Sequence, residues 1–563
     1  MANLLISLIA AYAAQAKARF VKKTLHVEAV QEHFLQGLLQ AHQATALGNQ
    51  WQLKEIRTVE QFRDRIPVLP YSSYEPYTDR IAQGEANVLT ADRVNYINLT
   101  SGSTGKKKQV PVTQQFQRTL RRADIAAMGF MFEGLQRRQL KLGKSLLTNS
   151  IISQGHTSGG IEYGPVSVGS LRQGRLLFEK FLAPPYAALK IADTLARHYV
   201  CLLFALRDPQ MRGITANFPM LLLRTCCYLE QYAEALLEDL RRGTIAPWLL
   251  LEPQLRAQLE RHWTPAPQRA AELRAVLQTE GKLTPQLAWA ELSYTVTARG
   301  GTSNFYFDRF PEYLGDTPSF GGVYGSAEAT FGIYPDFDQD GSILAIESGF
   351  YEFVPPDQWQ VEHPQTLLPC EVKIGQRYRI LLTSYSGFYR YNIGDVVEVV
   401  GFFEQAPLIV FRHRQGGLLS STTEKTTEFH ATQAMQALQQ EFNVRLEDFC
   451  ITLSEAECPA RYIVNVELAF GQTLDHPAKF LERFEYWMGE FNHLYTMARQ
   501  GQVPPASLRI LAPGSFARVR QRQVDRGMFD SQLKFPHISE DRGFLADFGV
   551  LQEVVGAMDI SVI

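Results

Sequence analysis

A chain of 563 residues exceeds one ordinary core and has room for roughly three to four domain-sized units. Its 56 Lys+Arg balance 58 Asp+Glu, leaving no strong field to attract nucleic acid or an acidic membrane. The six cysteines include no Cys-x-x-Cys pair, and no two of the twelve histidines sit three to five residues apart, which argues against zinc and for a reduced, cytoplasmic protein.

In chain order, Met1 to Ala18 is apolar, but Lys17, Arg19, Lys22 and Lys23 follow the run instead of preceding it. That polarity is wrong for a secretion signal, and the run is shorter than the roughly 20 residues of a membrane span, so an alanine-rich helix packed on the body is expected and no stable membrane insertion. Val30 to Leu47 reads as a further helix, followed by a turn-rich stretch around Pro67, Pro70 and Pro76. Val94 to Leu99 reads as a strand, and Thr100-Ser-Gly-Ser-Thr-Gly-Lys-Lys-Lys108 follows it. Glycines that let the backbone curl round an anion, Ser and Thr hydroxyls that donate to its oxygens, and lysines that neutralise it make this the composition of a phosphate-binding loop. A solvated basic turn is the bland alternative. Walker A spacing is absent, because two residues separate Gly102 from Gly105 and Lys107 stands where a hydroxyl belongs.

Gln114 to Glu133 predicts a helix carrying Ile125, Met128, Phe130, Met131 and Phe132. One side of it, with Met128 and Phe130, would suit an apolar or aromatic acyl group, although such a stripe is more often plain core. His156, in Gly155-His-Thr-Ser-Gly-Gly160, could approach the same group or be structural. Ile161 to Leu182 carries β-like runs, whereas Tyr186 to Leu206, Pro219 to Arg242, Glu252 to His262 and Pro267 to Glu280 have helical apolar spacing. From Ser319 to Val410 short apolar runs between glycine turns predict sheet, including Gly349 to Val354, Tyr378 to Thr383 and Val396 to Phe403. Gly416 and Gly417 break the pattern. Beyond Ser420 a helix (Thr427 to Phe442), a strand (Tyr462 to Phe470), a long amphipathic helix (Pro477 to Arg499) and a strand (Ser507 to Ile510) resemble a compact α+β unit. The expected organisation is α/β: a large N-terminal domain of mixed sheets and helices over 1–415, a hinge over 416–428 and a small mobile domain over 429–563.

Polar residues interrupt otherwise buried sequence at three further places. In Phe320-Gly-Gly-Val-Tyr-Gly-Ser-Ala-Glu328, Tyr324 could stack on a base and Glu328 could hold a metal that bridges phosphate oxygens; a strand-end turn with an exposed Glu is the competing reading. Ser326 is no hydrolase nucleophile, since the elbow motif would need glycines at Tyr324 and Glu328. In Gly387-Phe-Tyr-Arg-Tyr-Asn-Ile-Gly-Asp395 the carboxylate could accept both ribose hydroxyls or serve a plain turn. The third segment, Leu418 to Glu428, lies at the inferred domain boundary.

Together these segments resemble the acyl-acid-amido synthetases of the Gretchen Hagen family, within the firefly-luciferase-like adenylating superfamily. The resemblance starts at Ile66-Pro-Val-Leu-Pro-Tyr-Ser-Ser-Tyr-Glu-Pro-Tyr-Thr-Asp-Arg-Ile81 and runs through the phosphate loop with Pro111 and Thr113. It continues at Tyr324-Gly-Ser-Ala-Glu328, Tyr385 to Tyr391 with Gly394-Asp-Val396, Val399-Val-Gly-Phe402, Glu424-Lys-Thr426 and Ser531-Gln-Leu-Lys-Phe-Pro536. It implies that the Thr100 to Lys108 loop, with Ser101, Gly102, Ser103, Thr104, Gly105 and Lys108, holds the phosphates of ATP. It also implies Tyr324, with Gly325 and Ser326, beside the adenine, Glu328 on Mg²⁺ and Asp395 on the ribose. Lys425 would be the hinge lysine, and Lys534 the lysine delivered by the mobile domain. Two positions depart from the family pattern: Asn392 replaces an arginine, and Lys106 replaces a glycine of the loop. The implied activity adenylates a small carboxylic acid and passes the acyl group to an amine, such as an amino acid. Transfer to a thiol such as coenzyme A, or nucleotide binding without catalysis, are the alternatives.

Overall fold

The computed structural model describes residues 2–101, 107–166, 168, 180–414, 417–422, 424–455, 457, 459–499, 503–525, 528, 533, 535–545 and 547–556. Gly102 to Lys106, Gly416 and Lys534 lie outside them. The chain divides into two compact units, Met1–Phe411 and Arg412–Ile563.

Among the described residues the large unit is built on three sheets. The first pairs, in order, Lys107–Thr113, Val94–Ser101, Glu162–Gly164 and Gly155–His156. The second is parallel throughout: Ser145–Leu147, Gly213–Thr215, Tyr294–Val296 and Ser319–Phe320. Parallel strands need covered faces, and Thr194–Leu206, capped by Asp193 and buried along almost its whole length, is one of the helices of this region. The third sheet has seven strands in the order Phe350–Val354, Arg377–Thr383, Tyr391–Phe403, Ala406–Arg414, Ser342–Leu344, Thr330–Ile333 and Val323–Gly325. Its apolar faces merge with the N-terminal helices into one core that includes Phe62, Phe116, Tyr351, Tyr389 and Tyr391.

Ala2–Thr24 is a helix, and it packs along Gln114–Arg137. The two approach so closely that a Cβ on Gly129 would lie 2.4 Å from the Ala13 carbonyl oxygen, which is why a glycine is needed there. Among the described residues no helix is long and apolar enough to cross a membrane. The helix expected over Pro219 to Arg242 is interrupted at Tyr232, whose φ of −105° and ψ of 16° separate Pro219–Gln231 from Ala233–Arg242. Tyr232 leaves the helical path to stack on Trp248, with centroids 5.7 Å apart.

The small unit carries a four-stranded sheet ordered Leu446–Leu453, Tyr462–Leu468, Ser507–Leu511 and Val550–Val555, in which only the central pair is parallel. Glu428–Phe442 begins at Thr427, whose hydroxyl accepts the His430 N–H, a start signal legible in the sequence. The long helix expected over Pro477 to Arg499 is two helices, Pro477–Phe491 and His493–Arg499, meeting at Asn492.

Candidate active site

Four segments far apart in sequence converge in the large unit. The strand that leads into the phosphate loop, Val94–Ser101, pairs antiparallel with the strand leaving it, with Thr100 opposite Lys108 and Ser101 opposite Lys107. Asn98 on the first of these donates its side-chain amide to the Ala327 carbonyl at 3.2 Å, tying the loop's base to the Tyr324–Glu328 turn. That turn is fixed from within: Ser326 Oγ accepts the N–H groups of Glu328 (3.1 Å) and Ala329 (3.4 Å), so the serine shapes the backbone. Gly325 is exposed at the strand end. Ser384 Oγ donates to the Glu328 carbonyl at 3.1 Å, which brings in the segment before Asp395.

Glu328 is buried, not exposed as a plain turn would leave it. Its Oε1 accepts the Tyr391 hydroxyl at 3.3 Å, and that hydroxyl accepts from Lys108 Nζ at 3.2 Å. Lys108 also lies over the rings of Tyr71 and Tyr391, 5.7 and 5.8 Å from their centroids. The lysine N–H donates to the phenol oxygen and the phenol O–H donates to the carboxylate, so the order of donors is consistent. A cation is thereby linked to a buried carboxylate through one phenol.

Asp395 is buried as well, and Tyr324 donates its hydroxyl to Asp395 Oδ2 at 2.8 Å. The Tyr324 ring stacks on Phe331 (5.1 Å, 27°) and leans on Phe411 (5.8 Å). Asp395 is aimed by a bulge: Leu381 pairs with Asn392 but Arg379 with Val396, so the Tyr391–Phe403 strand carries extra residues here. Gly394, at φ +86°, makes the bulge possible. Asn392, the departure from the family pattern, is part of the same device: its Oδ1 accepts the Gly394 N–H at 3.1 Å while its own N–H donates to Leu69 O.

The lead-in segment supports the site from behind. Tyr74 donates its hydroxyl to the Tyr389 carbonyl and accepts the Tyr389 N–H at 3.1 Å. Arg390 takes the left-handed conformation, φ +41°, and its guanidinium is buried on Glu352 (3.0 Å) and on the carbonyls of Arg63 and Ile66 (2.8 Å each). His42 Nδ1 lies 3.1 Å from the Tyr389 hydroxyl, and burial pushes its pKa down to about 4.

The acyl-side expectations fare differently. Phe130 is buried in the core, edge-on to Phe20 and Phe403. Helical spacing identifies a stripe but not what covers it. Met128 is half-buried on the same helix, and His156 is exposed on the outermost strand of its sheet. Neither meets Glu328 or Asp395 in a described contact. Lys425 is exposed, with φ +44°. Tyr391, Tyr71, Asn98 and Ser384 were not singled out from sequence. Tyr71 and Tyr391 lay within segments that carry the family resemblance, whereas Asn98 and Ser384 had no signal.

A mixed α/β architecture with this site has the fold of acyl-activating ligases. The structure superposes on AtGH3.15 acyl acid amido synthetase in complex with 2,4-DB with a TM-score of 0.85 at 22% identity, over 96% of this chain and 97% of that one. A 2-hydroxyisobutyryl-CoA ligase in the postadenylation state gives 0.54 at 13% identity, over 92% and 90%. The chain belongs to the GH3 family: residues 16–319 match its N-terminal domain, 342–414 its central domain and 429–543 its C-terminal domain. Among relatives, the indole-3-acetic acid-amido synthetase GH3.8 of Oryza sativa subsp. indica is 27% identical, over 92% of this chain and 90% of its own length. The jasmonoyl-L-amino acid synthetase JAR4 of Nicotiana attenuata is 26% identical, over 90% of each.

Proposed function

We propose that the protein is an ATP-dependent acyl-acid-amido synthetase that joins a small carboxylic acid to the amino group of an amino acid. The observation that carries this is the convergence of two pairs, Tyr324 with Asp395 and Glu328 with the Lys108-bearing Tyr391, at the base of a hydroxyl-rich loop. Membership of a family whose relatives bear amido synthetase names gives the convergence its chemistry.

A carboxylate does not react with an amine at neutral pH because its leaving group is poor. In the first step a carboxylate oxygen of the acid attacks the α-phosphorus of ATP and pyrophosphate leaves; in the second the amine attacks the acyl carbon, loses a proton and expels AMP. Tyr324 offers a ring beside the base, Asp395 accepts from the ribose hydroxyls, and Thr100, Ser101, Ser103 and Thr104 donate to the phosphates. Among the described residues no cluster of three or more potential ligands could hold a metal. A single buried carboxylate, Glu328, is a donor set that suits Mg²⁺, which takes one or two carboxylates and completes its shell with phosphate oxygens and water. Bound there it would supply charge stabilisation at the phosphates.

The test is a screen of acids crossed with amino acids, following pyrophosphate, AMP and product mass. Acid-dependent pyrophosphate release with AMP and amide formed only when an amino acid is present is expected. Release of ADP and phosphate, or product only with coenzyme A, would replace this reading.

A further inference from the structure

The segment that bears Lys425 is not a loose linker. Leu418–Leu419 pairs antiparallel with Thr426–Thr427, closing a short hairpin. Inside it the Glu424 carboxylate, fully buried, accepts the backbone N–H groups of Ser421 and Thr422 and the Thr422 hydroxyl. Burial works against ionising that carboxyl, yet these donors hold its pKa below the ordinary value. Lys425 sits next to it at φ +44°, a conformation that is unfavourable for a residue with a Cβ and persists only when its surroundings over-determine it.

Those surroundings are two side chains of the small unit. Asn492, at the junction of Pro477–Phe491 and His493–Arg499, donates its Nδ2 to the Glu424 carbonyl at 2.8 Å and to Thr426 Oγ1 at 3.2 Å. These bonds therefore grip the residue on each side of Lys425. Asn492 Oδ1 accepts the Leu494 N–H at 3.2 Å. A carbonyl can only accept and an N–H can only donate, so the two contacts together fix which end of the amide points where. Tyr462 adds its hydroxyl, 2.9 Å from both the Leu419 carbonyl and Thr426 Oγ1. Glu424, Thr426, Asn492 and Tyr462 are all buried while Lys425 is exposed.

We infer that Asn492, assisted by Tyr462, is a positioning residue that holds the strained Glu424–Lys425–Thr426 turn so that the Lys425 side chain leaves the backbone in one fixed direction. The inference deepens the proposed function and rests on the expectation, carried by the family resemblance, that Lys425 is the hinge lysine of that reaction. Within the expected 416–428 hinge, Leu419, Glu424 and Thr426 are thus bonded to Tyr462 and Asn492.

Asn492→Asp tests this in the full chain, because it keeps the volume and the acceptor for Leu494 but replaces the double donor with an oxygen facing the Glu424 carbonyl. Single-turnover pyrophosphate release is measured for Asn492→Asp, Lys425→Ala and the double variant, with hydrogen exchange at the Ser421, Thr422 and Lys425 amides. Expected are a loss of about tenfold in rate for Asn492→Asp and a double variant no slower than Lys425→Ala alone, since both substitutions remove one function. Exchange in the turn should rise about tenfold, and Tyr462→Phe should move both readouts less. Multiplying losses in the double variant, or unchanged exchange in the turn, would overturn the assignment. If the wild-type chain releases no pyrophosphate with any acid, the proposed function fails, and the exchange readout still decides whether Asn492 holds the turn.

Discussion

Glu328 and Asp395 are carboxylates of the same site held by different tyrosines, and their variants should fail differently. Glu328→Gln keeps the shape of a buried side chain and removes its charge, so the Mg²⁺ dependence of adenylation should rise while thermal stability stays near wild type. Tyr391→Phe removes the hydroxyl between Lys108 and Glu328, a loss of about 1–3 kcal/mol for a charge-assisted bond at a buried carboxylate. A drop of roughly tenfold or more in kcat/KM at limiting Mg²⁺, relieved in part by excess Mg²⁺, is the expected outcome. Asp395→Ala should act on the KM for ATP, and Tyr324→Phe more weakly in the same direction. Unchanged ATP titrations in both variants would remove the ribose assignment.

His42 sets a pH dependence on this part of the fold. Its pKa is pushed down to about 4 by burial, against about 6.5 in an unfolded chain. The unfolded state therefore binds the proton first as pH falls. Stability is full above about pH 6.5 and declines until about pH 4, by on the order of 3 kcal/mol over that window. Because His42 lies against Tyr389, acid should loosen the Tyr385–Tyr391 segment. In His42→Gln the melting temperature measured from pH 7 to pH 4.5 should fall less steeply than in the wild type; an equal slope would show that other groups dominate.

At the scale of elements, the bulge at Asn392–Asp395 makes Gly394 the sensitive position. Gly394→Ala places a Cβ at φ +86°, a cost of about 1–2 kcal/mol. The ATP KM should rise with little change in the Mg²⁺ response, since the bulge aims Asp395 and not Glu328.

The same strands show what could be read from sequence. Apolar runs between glycine turns marked Phe350–Val354 and Arg377–Thr383, because burial on a pleated sheet leaves that pattern. Leu446–Leu453 was missed because Glu447 and Asp448 interrupt it. Asp448 is buried nonetheless, with His537 Nε2 at 3.3 Å, a partner about ninety residues away. The bend at Asn492 was hidden for the opposite reason: a continuous apolar stripe spans it, and what stops the helix is an asparagine whose side-chain amide is committed to the Lys425 turn. Tyr324, Glu328 and Asp395 were legible as polar residues in apolar runs, whereas the Lys108–Tyr391 link spans 283 positions and leaves no local mark.

At the scale of the whole molecule, the two units separate the labour that the proposed function requires. The converging pairs all lie in Met1–Phe411, whereas Lys425 and Lys534 belong to Arg412–Ile563. Leu533 and Phe535, the sequence neighbours of Lys534, are buried in the small unit and remain in Lys534→Ala. Losing a contact to charge that develops only in the transition state typically costs about 10²- to 10³-fold in rate. Lys534→Ala should therefore slow single-turnover adenylate formation by that factor, with ATP affinity within a few-fold of wild type, because the groups assigned to the nucleotide lie in the large unit. Equilibrium ATP binding and rapid-quench adenylate formation measure the two separately. Adenylate formation at the normal rate would assign Lys534 to amide formation or to neither step. A collapse of ATP binding in step with the rate would place the lysine in the resting nucleotide site and remove the reason for the small unit to move.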